Sequence, residues 1–159
     1  MSYSEKYMEK AAEIAREGIS SGSGGPFGCV IVRDGNVVAC THNTVVRDND
    51  PTAHGEVNAI RQACRNLGTF NLEGCDLYTT SEPCPMCLGA IMWARIGNVY
   101  SAMNIRDAAD IGFDDEPFYA DMNSYSQGKG SRFVNIEFRE NVHCRELFRD
   151  YKAMNAVKY

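Results

Sequence analysis

Residues 75–94 read CDLYTTSEPCPMCLGAIMWA, a stretch that joins a strand to a helix. The segment from Cys75 to Thr80 is typical of a strand. Pro85 then occupies a favoured position in the first turn of a helix, which is predicted to continue to Ala94. Because this helix is apolar almost all round, we expect it to be buried.

Further elements are predicted on both sides of this unit. Strand-forming residues and a hairpin turn predict four more strands, at 27–32, 37–43, 99–102 and 133–138. Apolar residues at helical spacing predict helices at 4–19, 53–66 and 145–156, the second of them capped by Thr52. Residues 105–130 are expected to be irregular, with at most one helical turn. This order predicts an α/β fold with three layers, α-β-α, in which a mixed five-stranded sheet carries helices on both faces.

The chain has 159 residues, which predicts a single domain over 1–159. Hydrophobic residues make up 44% and charged residues 23%, so the composition excludes a disordered protein. The first ten residues contain no apolar signal region, and the seven cysteines are an odd number. These features favour reduced thiols and a cytoplasmic location. Five of the cysteines have no assigned role: Cys29, Cys40, Cys64, Cys75 and Cys144.

The charge distribution argues against nucleic-acid binding. Sixteen basic and twenty-one acidic residues give a net charge of −5. Residues 107–121 contain six acidic and no basic side chains, whereas residues 129–159 carry a net charge of +3. A nucleic-acid partner is therefore not expected. The longest apolar run, 90–94, is also far too short to span a membrane, so no membrane partner is expected.

Two short segments have the residue types of a zinc site. Cys84 and Cys87 are three residues apart at the start of the predicted helix, so both thiolates can bind one ion. His54, before another predicted helix, supplies a third ligand. Three protein ligands leave the fourth tetrahedral position to water, which is the catalytic arrangement. We therefore expect one Zn²⁺ per chain, although spacing alone also allows a structural site closed by Cys64 or Cys75.

Glu56 distinguishes a catalytic site from a structural one. A carboxylate beside the metal can take a proton from zinc-bound water and return it to a substrate nitrogen. The zinc-bound hydroxide is then the nucleophile. Together, His54, Glu56 and the Pro-Cys-x-x-Cys segment follow the H-x-E…P-C-x-x-C signature of zinc deaminases. A non-catalytic zinc-stabilised module would have no need of Glu56.

Four segments extend this likeness beyond the zinc motif. They are GGPFG at 24–28, NDPTAH at 49–54, SEPCPMCLGAIMWAR at 81–95 and GFDD at 112–115. With these segments the chain resembles bacterial guanine deaminases of the cytidine deaminase-like zinc hydrolase superfamily. The resemblance implies the cytidine deaminase-like fold and hydrolysis of guanine to xanthine and ammonia.

The resemblance also implies roles for residues outside the zinc motif. Asn43 would hydrogen-bond the purine, and Phe27 would pack on its ring. Asp115 would assist proton transfer or bind the amino side, and Tyr159 would close the pocket. Gly55 stands where the family more often has alanine, and its backbone N–H would bind a substrate carbonyl.

Alternative functions remain open at this point. A tRNA adenosine deaminase shares the zinc motif but would need a basic rim for RNA. Another nucleobase or nucleoside deaminase, acting on cytosine or cytidine, is a further possibility. The family resemblance also implies a homodimer, in which the segment 129–159 crosses to the partner and Tyr159 covers the neighbouring pocket. Packing of this segment on its own subunit is the alternative.

Overall fold

The computed structural model describes residues 3–154 and 156–159. The strands are β1 (Gly28–Arg33), β2 (Asn36–His42), β3 (Cys75–Ser81) and β4 (Asn98–Met103). The helices are α1 (Glu5–Ser20), α2 (Val45–Asp48), α3 (Gly55–Leu67), α4 (Pro85–Trp93), α5 (Ile105–Asp110), α6 (Glu116–Ser126) and α7 (Val142–Ala153).

The strands form one mixed sheet in the order β2-β1-β3-β4. β1 is antiparallel to both β2 and β3, and β3 is parallel to β4. β1 and β2 are joined by a tight turn in which Asp34 and Gly35 have φ values of 50° and 79°. The predicted hairpin and the mixed character of the sheet are confirmed.

Helices cover both faces of the sheet. On one face, Ile31 and Leu77 pack with Ala59 of α3 and Ile91 of α4. Successive side chains of a strand point to opposite faces, so the intervening residues pack elsewhere. On the second face, Val30, Val32 and Tyr78 pack with Tyr7, Met8 and Ala11 of α1. The predicted three-layer α-β-α arrangement is confirmed.

The sheet has four strands within the described residues, so the prediction of five is wrong. The predicted fifth strand, 133–138, is irregular. Phe138, at its end, is 89% exposed. An isolated strand gains no stability without a partner to complete its hydrogen bonds. Alternating side chains at 133–138 therefore gave a misleading signal.

The chain divides into two compact units, one ending at Pro117 and the other running from Phe118 to Tyr159. The first unit contains the whole sheet. In the second unit, the buried carboxylate of Asp121 accepts hydrogen bonds from the Ser131 hydroxyl and the Arg132 backbone N–H. The single domain over 1–159 stays a prediction.

Three local expectations are corrected by the structure. Thr52 does not cap α3, because its backbone N–H and hydroxyl both donate to Oδ1 of Asp50, and His54 is the N-cap residue. Residues 105–130 contain two helices, α5 and α6, rather than one turn. α4 is only partly buried: Cys87 and Ile91 face the core, whereas Trp93 is 67% exposed.

Within 3–154 and 156–159, no helix combines the length and apolar character needed to cross a membrane.

Candidate active site

The beginnings of α3 and α4 bring together one imidazole and two thiols. His54 and Cys84 are the N-cap residues of the two helices, and Cys87 lies in the first turn of α4. Nδ1 of His54 is 3.6 Å from Sγ of Cys84 and 3.5 Å from Sγ of Cys87. Within the described residues, this is the group of three potential metal ligands whose donor atoms all lie within 4.8 Å of one another.

These distances fit a tetrahedral zinc ion. Zn–S and Zn–N bonds of about 2.3 and 2.0–2.1 Å place a sulfur and a nitrogen ligand about 3.5–3.6 Å apart at the tetrahedral angle. The measured separations have this size. The group includes neither Cys64 nor Cys75, which argues against a site closed by a third cysteine as fourth ligand. His54, Cys84 and Cys87 would therefore hold zinc with one coordination position open.

Mutual contacts shift the proton affinities of these ligands. The hydrogen bond from Cys87, together with the contact to His54, lowers the pKa of the Cys84 thiol to about 4. The hydrogen bond to Cys84 raises the pKa of His54 against the opposing effect of burial. The pKa of Cys87 is raised, first by its hydrogen bond to Cys84 and then by burial. Cys84 is therefore the thiol that first becomes available as a thiolate ligand.

Glu56 lies beside these ligands in the first turn of α3, with only 5% of its surface exposed. Its Oε1 accepts a 3.0 Å hydrogen bond from the Thr79 hydroxyl, and its Oε2 accepts one of 3.4 Å from the Cys87 thiol. Burial raises the pKa of Glu56, while these two hydrogen bonds oppose the rise. A carboxyl group held in this way is suited to take up and release a proton.

A cavity of about 370 Å³ opens onto Glu56 and His54. Ligand pockets begin at about 300 Å³, so the volume suits a small molecule. The structure brings six of the predicted site residues to its wall: Phe27, Asn43, His54, Glu56, Cys84 and Asp115. Cys87 and Gly55 are buried at the starts of their helices.

Comparisons with known proteins place this geometry in a family. Residues 1–103 match the family described as "Cytidine and deoxycytidylate deaminase zinc-binding region". The chain belongs to this family. It is 44% identical to guanine deaminase from Bacillus subtilis over 147 residues, which cover 92% of this chain and 94% of that protein.

Solved structures and other relatives agree with this family assignment. The X-ray structure of the Bacillus subtilis guanine deaminase matches with a TM-score of 0.89 and 40% identity, covering 99% of both chains. A guanine deaminase from Nitrosomonas europaea matches with a TM-score of 0.67 and 30% identity, covering 74% of this chain and 68% of that one. A tRNA-specific adenosine deaminase from Aquifex aeolicus is 43% identical over 101 residues, covering 63% of this chain and 66% of that protein. The predicted resemblance, the cytidine deaminase-like fold and the zinc cofactor are confirmed.

In this deaminase the amide of Asn43 has a fixed orientation. Its Oδ1 accepts the backbone N–H of Val45 at 3.1 Å, which leaves Nδ2 free to donate to a bound ring. Gly24 allows this arrangement, because a Cβ at that position would lie 2.1 Å from Oδ1 of Asn43. Sequence reasoning assigned no role to Gly24, although the GGPFG segment that contains it was recognised.

Aromatic and acidic side chains complete the cavity wall. The ring of Phe113 meets that of Phe27 edge-on, with centroids 4.9 Å apart and an interplanar angle of 87°. Phe113 was also not assigned a role, although it belongs to the recognised GFDD segment. Burial, followed by the charge of Cys84, raises the pKa of Asp115. Tyr159 belongs to the second unit.

Proposed function

We propose that this protein hydrolyses guanine to xanthine and ammonia, with one zinc ion per chain. The observation that carries the proposal is the buried carboxylate of Glu56 at the junction of a three-ligand metal site and a cavity of about 370 Å³. Similarity to a guanine deaminase over 92% of the chain supports the choice of substrate.

The reaction needs a proton to be moved from water to the departing nitrogen. When bound, zinc supplies the Lewis acidity that makes water a nucleophile near neutral pH. Glu56 accepts a proton from water as the C–O bond forms at the carbon that bears the amino group, and passes it to the adjacent ring nitrogen as the C=N bond becomes single. It then takes the remaining hydroxyl proton and delivers it to the amino nitrogen, so that the C–N bond breaks, the C=O bond forms and ammonia leaves. Thr79 holds the carboxylate in place for both steps.

The cavity wall supplies contacts for the purine. Phe27 packs on the ring, and Nδ2 of Asn43 donates to a ring acceptor. The backbone N–H of Gly55 binds the substrate carbonyl, while Asp115 lies at the same cavity and binds the amino side or assists proton transfer. Tyr159, carried by the exchanged C-terminal segment, completes the pocket of the other subunit. These assignments are part of the proposal.

A tRNA adenosine deaminase is the second candidate, favoured by 43% identity over 101 residues to the Aquifex aeolicus protein. The charge of the chain argues against it. Residues 107–121, which include Asp115 in the cavity wall, carry six acids and no base. Such a segment repels an RNA backbone. Intact Glu56 argues against a non-catalytic zinc-stabilised module.

We further propose a homodimer in which the segment 129–159 is exchanged between subunits. Leu147 and Phe148 of α7 are 66% and 77% exposed, and a partner subunit would cover such side chains. All seven cysteines are free thiols, which supports a reducing, cytoplasmic location.

One assay tests the proposed reaction. The purified protein is incubated separately with guanine, adenine, cytosine, cytidine and unmodified tRNA, and ammonia and products are measured. We expect xanthine and ammonia in equal amounts from guanine. A Glu56→Gln preparation made in parallel excludes a contaminating enzyme. Inosine formed in tRNA without turnover of guanine would contradict the proposal and favour the second candidate.

A further inference from the structure

α2 contributes to the walls of two different cavities. Val45 and Val46 line the cavity of about 370 Å³ beside Glu56, called the purine cavity below, whereas Arg47 lines a second cavity of about 400 Å³. The second cavity, called the arginine cleft below, lies among α1, β2, α2 and α3. Its walls include Ile14, Cys40, His42, Asn58, Gln62 and Arg65.

Amide side chains of α3 build a fixed floor for the arginine cleft. Nδ2 of Asn58 donates to the His42 carbonyl at 3.0 Å and to the Thr44 hydroxyl at 2.9 Å. Oε1 of Gln62 accepts a hydrogen bond from the backbone N–H of Cys40 at 2.8 Å, which leaves the amide nitrogen Nε2 of Gln62 as a donor. The floor is therefore polar and tied to the sheet.

Three arginines line this cleft: Arg47, Arg61 and Arg65. Asp48 also lines the cleft and Asp50 contacts Arg61, so three positive and two negative charges leave a local excess of one positive charge in a chain of net charge −5. Arg47 pairs with Asp48 at 2.8 Å, and Arg61 lies 3.9 Å from Asp50. The Arg65 side chain, one turn from Arg61, forms no ion pair or hydrogen bond within 3–154 and 156–159. These charges favour an anion.

We propose that the arginine cleft binds a phosphate group, either free phosphate or the phosphate of a nucleotide. Guanidinium groups present planar pairs of donors that match phosphate oxygens, and several such donors around one cavity bind a dianion better than a single charge does. Arg65 contributes a guanidinium with no competing partner, and the side-chain amide nitrogen of Gln62 adds a neutral donor.

Phosphate binding in the arginine cleft affects the purine cavity through α2, which lines both. The backbone N–H groups of Val46 and Arg47 both donate to the Ser23 carbonyl at 3.1 Å. The preceding residue, Val45, holds the Asn43 amide. A phosphate that engages Arg47 restrains α2 in this position and so favours purine binding. This coupling rests on the proposed function, whereas phosphate binding itself does not.

Calorimetric titration of the zinc-loaded protein tests the binding. The titrants are inorganic phosphate, guanosine 5′-monophosphate and guanosine, at an ionic strength held constant with KCl. We expect saturable binding of phosphate that weakens at least about tenfold in Arg65→Gln and in Arg47→Gln. Arg16→Gln, an exposed helical arginine outside the cleft, is the matched control and should bind normally.

Comparing the titration with guanosine 5′-monophosphate to that with inorganic phosphate identifies the source of the phosphate group. Tighter, Arg65-dependent binding of the monophosphate indicates a nucleotide, and equal binding indicates free phosphate. The proposal is overturned if phosphate shows no saturable binding, or if Arg65→Gln binds it as the unmodified protein does. It is also overturned if Arg16→Gln is weakened to the same extent.

Steady-state kinetics tests the coupling. Saturating phosphate should lower KM for guanine by about fivefold, and Arg65→Gln should abolish this change. An unchanged KM in the presence of bound phosphate would overturn the coupling. Absence of guanine turnover under every condition would contradict the proposed function, while the calorimetric result would still decide whether the cleft binds phosphate.

Discussion

The hydroxyl of Thr79 donates a 3.0 Å hydrogen bond to Oε1 of Glu56. Thr79 lies on β3, whereas Glu56 lies in the first turn of α3, and both side chains are buried. The Cys87 thiol donates to the other carboxylate oxygen, but as a zinc-bound thiolate it has no proton to donate, so the contact from Thr79 is the one that persists with zinc. Thr79 is therefore a positioning residue for Glu56, the group proposed to transfer the proton.

Thr79→Val should lower kcat for guanine about tenfold or more, since a hydrogen bond to a charged group contributes about 1.5–3 kcal/mol. Zinc content should not change, because Thr79 is not a ligand. Thr79→Ser keeps the hydroxyl and should recover most of the rate. A valine variant as fast as the unmodified protein, or a serine variant as slow as the valine one, would contradict this role.

Glu56→Gln should retain zinc and fold but lose turnover by about 10²–10⁴-fold, the contribution of general acid–base catalysis. The amide keeps the size of the side chain and cannot carry the proton. Metal analysis, circular dichroism and turnover are measured on the same preparation. Glu13→Gln, an exposed substitution on α1, is the control and should be fully active. Near-normal turnover of Glu56→Gln would show that another group moves the proton.

Cys84→Ser should lose most of the bound zinc, because a hydroxyl is a far weaker zinc ligand than a thiolate. Elemental analysis should find about one zinc per chain in the unmodified protein and a steep drop in the variant. Cys64→Ser serves as the matched control, since Cys64 lies outside the three-ligand group. Normal zinc content in Cys84→Ser, or an equal loss in Cys64→Ser, would contradict the assigned ligands.

The sequence predicts those parts of the site that depend on local spacing. His54 and Glu56 share one helix start, and Cys84 and Cys87 share another, so residue type and separation were sufficient. The role of Thr79 could not be predicted from spacing, because Thr79 and Glu56 are 23 residues apart in sequence and meet only through the packing of β3 against α3.

Other errors have the same physical origin. The alternation of side chains at 133–138 is compatible with a strand, but a strand joins a sheet only where a neighbouring strand completes its backbone hydrogen bonds, and the sequence pattern does not show whether such a neighbour is present. The effect of Gly24 on Asn43 could not be predicted from the sequence either, because it depends on a tertiary contact. A Cβ at Gly24 would lie 2.1 Å from Oδ1 of Asn43.

Gly24→Ala should displace the Asn43 side chain and raise KM for guanine several-fold to about tenfold, the effect of losing one neutral hydrogen bond. The effect on kcat should be smaller, since Glu56 and the zinc ligands are not touched. Gly97→Ala adds a Cβ that meets no atom within 4 Å and is the matched control. An unchanged KM in Gly24→Ala would show that Asn43 does not bind the substrate.

Glycines after α6 allow the C-terminal segment to be exchanged between subunits. The chain after α6 passes through Gly128 and Gly130, whose φ values of 73° and 77° are readily adopted by glycine. The segment 129–159, which begins in this linker, has a net charge of +3 and exposed apolar side chains on α7. Exchange of an identical element is a low-cost route to a dimer.

Two inactive variants separate the two arrangements. One is Glu56→Ala with an intact C-terminus, and the other ends at Ala153, lacks Tyr159 and keeps Glu56. They are unfolded, mixed and refolded together with zinc, and heterodimers are counted by differently tagged chains. If the segment acts on the partner, each heterodimer regains one complete site, and random reassortment restores about a quarter of full activity per chain. If heterodimers form and remain inactive, the segment acts within its own subunit and the exchange is wrong.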